Sequence, residues 1–221
     1  ANETSDTSRI AFGVIDGRRP KSMCLPPLTT EPAPPWTPLQ LGATTLRAWY
    51  RGGAIGVADT AAVASWSDAS GNANTLAQAT GGVQPTFDET DAAVNNLPSV
   101  DFASASSQRL QIAGDFGLGS TPFSVYAVWF MANSNGQTLL QIEAGANDVS
   151  VDIDGAGALR ALAGGSSLTA AITKAAWRMT GTVFNGASSA LAIDGGTRAT
   201  GTTGCATPDN TKATVGSDLA E

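Results

Sequence analysis

The chain contains no histidine. That single absence removes Ser-His-Asp and Cys-His catalysis, histidine metal ligation and histidine pH switching together. Cysteine is nearly absent too: Cys24 and Cys205 are too few and too far apart for a disulfide framework or a thiolate zinc site. Two free, partly buried thiols are the simplest expectation, with a Cys24–Cys205 pair, which would tie the N-terminal segment to the last strands, as the alternative. Charged residues make up only 14% of the chain, which argues against a disordered polyelectrolyte, and aromatic residues only 6%, which does not advertise a dedicated sugar-stacking platform. No run of about 18 apolar residues occurs, and the opening ANETSDTSRI lacks the charged and apolar regions of a signal peptide, so neither a membrane anchor nor a secretion signal is expected.

What is present suits strands and tight turns. Hydrophobic residues reach 42%, glycine is frequent at 25 residues, and 221 residues suffice for one large β domain plus an appendage. The formal net charge of -7 lies wholly in residues 46–221, because residues 1–45 carry four basic and four acidic side chains. An acidic body disfavours nucleic acid as a partner, since Lys and Arg neutralisation of phosphates supplies most of that affinity.

Seven of the eleven prolines fall between Pro20 and Pro38. Proline removes backbone donors and biases a chain toward extended geometry, so residues 1–45 read as an extended arm. The arm also carries Phe12, Leu25, Leu28 and Trp36, with Arg18 and Arg19 beside them, and such a segment is expected to lie against its own domain or a neighbouring subunit. These six residues are its candidate assembly contacts.

From Leu46 onward short β-like runs alternate with turn signals. Phe123 to Phe130 is apolar on both faces except at Ser124, the pattern of a central strand. Val149, Val151 and Ile153 alternate with Ser150, Asp152 and Asp154, which predicts one buried and one wet face. Asn185-Gly186 and Asp194-Gly195-Gly196 predict two consecutive hairpins. No convincing helical period exists; Thr60 to Trp66 holds at most one helical turn.

Trp66-Ser67-Asp68-Ala69-Ser70-Gly71-Asn72, Gln84-Pro85-Thr86-Phe87 and Leu97 to Phe102, then Trp177 to Gly186, Leu191 to Gly195 and Ala213 to Ser217, occur in an order that resembles concanavalin A-like (laminin G-like) domains of bacterial and phage surface proteins. The resemblance spans residues 46–221 and implies an all-β, antiparallel, two-sheet jelly-roll sandwich behind the arm. That family usually continues with a final long strand pair, so a closing strand is expected to be absent, replaced by the arm, or supplied by a neighbour. Ser8 to Gly13, Arg18-Arg19-Pro20 and Leu25 to Leu28 resemble short N-terminal segments of tailed-phage virion proteins.

Three functions are then in play. The leading one is a non-enzymatic structural virion protein of a tailed bacteriophage, a decoration, fibre or spike component, anchored by its arm to other virion proteins and forming homo-oligomers. It would be located in the virion and make weak host-glycan contact at most. The second is a carbohydrate-binding module or adhesin on a bacterial surface, with Trp49 and Tyr50 as candidate glycan contacts. The third is a glycoside hydrolase, which needs two carboxylates flanking a sugar. Glu143 with Asp148, or Asp152 with Asp154, are the nearest pairs, but no Glu-x-Asp-x-x-Glu spacing occurs, and Asp152 and Asp154 read more simply as solvent-facing strand residues. Trp66, Trp129 and Trp177 read as core. Asp68, Asn72 and Asp101 are candidate calcium ligands, but Asp68 and Asn72 sit in a Ser-Gly-Asn turn where they would cap backbone donors; no metal or cofactor is expected.

Overall fold

Both hairpin turns in the second half of the chain form, and each uses positive φ where the sequence supplies the residue for it. Asp194 and Gly195 have φ of 51° and 69°, the left-handed pair that suits a two-residue hairpin, and Gly186 has φ of 53°. The computed structural model describes residues 37–42, 45–114, 117–118, 122–131, 136–143, 148–204 and 212–216. Fourteen strands and several short 3-10 turns account for the regular structure, with no α-helix among the described residues. The strands are β1 (Ser65–Trp66), β2 (Leu76–Ala77), β3 (Thr86–Asp91), β4 (Leu97–Asp101), β5 (Arg109–Ala113), β6 (Phe123–Phe130), β7 (Gln137–Glu143), β8 (Val149–Ile153), β9 (Leu159–Ala163), β10 (Ser166–Ala170), β11 (Trp177–Phe184), β12 (Ser189–Ile193), β13 (Ala199–Gly201) and β14 (Lys212–Gly216).

All ladders are antiparallel. An eight-stranded sheet runs β1-β2-β5-β14-β7-β8-β9-β10, a four-stranded sheet runs β13-β12-β11-β6, and β3 pairs with β4 alone. Thus β14 fills the slot between β5 and β7 (Ala213 opposite Ile112 and Ile142). One hydrophobic cluster draws on both large sheets: Leu110, Ile142, Val149, Val151, Ile153 and Leu159 from the first, Trp129, Phe184 and Leu191 from the second. Phe184 stacks on Phe123 with ring centroids 4.9 Å apart. Burying such a side chain contributes about 1.5–3 kcal/mol, and this cluster is the main favourable term of the fold.

Three expectations change. β6 is not a central strand; it pairs only with β11 and ends the four-stranded sheet, so one apolar face is exposed. β8 has no wet face, because all five residues are buried, Ser150 and Asp152 included. Trp129 is in the core as expected and Trp66 packs against it, but Trp177 stands opposite Phe130 on the face turned away from the core. Thr60 to Trp66 forms a turn, a bridge from Ala62 to Thr86 and β1. Of residues 1–45, only 37–42 and 45 are described, with a 3-10 turn at Pro38–Leu41. The arm contacts Phe12, Arg18, Arg19, Leu25, Leu28 and Trp36, and both cysteines, lie outside the described residues.

Candidate functional site

The turn after Trp66 is built around one carboxylate. Asp68 Oδ1 accepts from the backbone N–H groups of Trp49 and Ser70, at 2.9 and 2.8 Å, and Oδ2 from Ser70 Oγ and the Asn74 N–H, at 2.7 and 3.0 Å. Asn72 and Asn74 donate their amides to the carbonyls of Leu46 and Arg47. This is the donor-capping role that the Ser-Gly-Asn turn predicts, and it clamps the segment leading into Trp49 and Tyr50. Asp101 sits elsewhere, on β4 opposite Thr86, near Asp88 and Asp91.

Tyr50 is spent in the same clamp. Its hydroxyl donates to the Asn74 carbonyl, its ring lies 5.8 Å from that of Trp66, and burial, with the Asp68 charge second, pushes its ionisation well up. The Arg51 guanidinium lies 5.0 Å from the centre of the Trp49 ring. Trp49 and Tyr50 therefore share a neighbourhood with their stacking faces partly occupied.

Burial opposes the charge of Asp68, but the donors on Ser70, Trp49 and Asn74 outweigh it and hold the carboxyl below the usual carboxylate range. A folded-state pKa below the unfolded one stabilises at pH above about 4 and is lost as pH falls through the folded value. Asp68→Ala is expected to cost about 2–4 kcal/mol at pH 7. Denaturant titrations of both proteins should show that gap closing below about pH 4.

The hydrolase pairs do not assemble. The Asp152 carboxylate takes a two-pronged bond from the Arg160 guanidinium, at 2.8 and 2.9 Å, and a third from Ser150 Oγ at 2.6 Å. Asp154 caps its own turn, accepting from the N–H groups of Ala156 and Ala158. On the same face of the eight-stranded sheet, turned from the core, Gln111, Thr214, Gln141 and Ser150 stand opposite one another across β5, β14, β7 and β8. Gln111 Nε2 and Thr214 Oγ1 are buried without a hydrogen-bond partner. This row is a polar floor that sequence reasoning missed, because its members are single residues on four strands.

The four-stranded sheet is the opposite in character. Tyr126, Val128 and Phe130 of β6 and Met179 of β11 are 77%, 66%, 43% and 56% exposed, on one face. Trp177, Gly181, Val183, Ala190 and Ala192 continue it, and no strand position on that face is charged. The Tyr126 ring lies flat on Gly181, where an added Cβ would come within 3.1 Å of Cε1. Tyr126, Met179, Gly181 and Ala192 line a shallow hollow. Contiguous exposed apolar surface of this kind marks an interaction site, and here it adjoins an eight-residue strand with no second partner among the described residues. The signal was present in the sequence as a strand apolar on both faces, which burial alone also explains.

Among the described residues no group of acidic or cysteine side chains is arranged to hold a metal, and no helix is long and apolar enough to cross a membrane. Compared with known proteins, the chain matches no family model, no curated protein and no solved structure.

Proposed function

We propose that this chain is a structural virion protein of a tailed bacteriophage, a concanavalin A-like jelly-roll module anchored by its N-terminal arm and packed against its neighbours through the four-stranded sheet. The observation that carries the assembly reading is the uncharged face of Tyr126, Val128, Phe130 and Met179 beside the open strand β6. A face of that composition is costly to leave in water and is offset when a neighbour covers it. The virion setting is supported by the resemblance of the arm and body to phage surface proteins. Assembly needs no catalytic centre, and the carboxylates suggested for hydrolysis are committed to structural bonds.

A second reading, a glycan-binding module, is favoured by the polar floor of Gln111, Thr214, Gln141 and Ser150. Amides and hydroxyls supply the mixed donors and acceptors that sugar hydroxyls need.

Mass spectrometry of gradient-purified particles from the source culture separates the two. The chain is expected at stoichiometric levels, and lost from particles when residues 1–41 are deleted. Absence of the intact chain from particles, with saturable oligosaccharide binding that Gln111→Ala weakens, sinks the virion reading in favour of the glycan one.

A further inference from the structure

The two larger sheets have four ends, and three are managed. β1 and β13 are two and three residues long, and β10 is short and rich in Ser and Thr and leans on β12 and β13. Short or polar ends are the usual protection against strand addition. β6 has none of it: eight residues, in regular register with β11 throughout, with no proline, no charge and no bulge. Nothing repels a second identical strand, although two acidic bodies would otherwise keep apart, because no ionisable carboxylate or amine occurs on β6.

We propose that β6 pairs antiparallel with β6 of a second copy about a two-fold axis at Ala127, joining the two four-stranded sheets into one. The inference rests on the assembly reading of this face. The register follows from side-chain parity. Directly opposite residues in an antiparallel pair point to the same side, so core-facing positions must meet core-facing positions. The full-overlap register fails, since it sets Ser124 against Trp129. Of the two next-longest registers, centring on Tyr126 leaves exposed Phe130 outside the ladder. Centring on Ala127 sets Phe130 against Ser124, Val128 against Tyr126 and Trp129 against Val125; it leaves out only Phe123, which is already stacked on Phe184. The apolar face then runs unbroken across both copies.

The full chain carrying Ala127→Cys tests this. Opposite Cα atoms in such a ladder lie about 4.5–5.5 Å apart, within disulfide reach. Mild oxidation should give a covalent dimer whose peptide map shows Cys at 127 joined to itself, whereas Ser124→Cys should not join to itself. Sedimentation of the unmodified chain should show a dimer, monomeric after Val128→Lys but retained after Met179→Lys, which alters the face without touching the edge. A monomer at all concentrations, self-joining at 124 but not 127, or loss of the dimer with Met179→Lys would overturn the pairing. Particle incorporation without 127 cross-linking sinks the pairing alone; cross-linking of a chain absent from particles sinks the virion setting alone.

Discussion

Replacing Gly216 with alanine is expected to abolish folding or to cost about 4 kcal/mol, the upper end of what one substitution does. Gly216 closes β14 at φ 103°, in the region that favours glycine, where the register with β7 shifts. A Cβ there would overlap the ring edge of Phe102 and stand 2.8 Å from the Gln108 carbonyl oxygen. Neither a ring packed on the core nor a backbone oxygen yields cheaply. Gly201 is the control, since its added Cβ meets only the flexible end of Leu168, at 2.8 Å, and Gly201→Ala should cost little. Urea denaturation of both variants, with Phe102→Ala/Gly216→Ala as a third, decides the matter. The double variant should recover the part due to collision and keep the part due to backbone strain. Equal losses at 201 and 216 would show that neither matters.

Asp152→Ala is expected to cost about 3 kcal/mol, since it strips a buried ion pair of one partner. Asp152 is 6% exposed and lies directly opposite Arg160 across the β8–β9 ladder. Its removal leaves a guanidinium and the Ser150 hydroxyl facing a space neither can fill. Asp152→Asn should fall between, and Asp152→Ala/Arg160→Met should cost less than Asp152→Ala alone. Chemical denaturation at low and high salt reads this, and a double variant as unstable as the sum of the singles would show the pair to be uncoupled.

The fold class was legible because hairpin chemistry is local. Asp194-Gly195 needs only its own two φ angles to turn the chain, and Leu191 to Ile193 then meets Met179 to Phe184 as expected. What failed was non-local. Alternation in Val149 to Ile153 is real, but whether the second face is wet depends on Thr138, Gln141 and Arg160 from neighbouring strands. Likewise, a strand apolar on both faces reads the same whether a sheet covers it or a partner is meant to, so β6 looked central. The candidate faces followed the same rule: each takes its members from several strands, and no window of sequence contains either.

The place of β14 also sets a timetable for the chain. β5 and β7 both run antiparallel to β14, so they are parallel to each other and cannot zip together in its stead. Their inner edges stay bare on the ribosome until residues roughly a hundred positions beyond β5 have emerged. Assembly of the large sheet is therefore a late, slow, post-synthetic event with two sticky edges waiting, and its yield should fall with translation speed and crowding of nascent copies rather than with the stability of the finished protein.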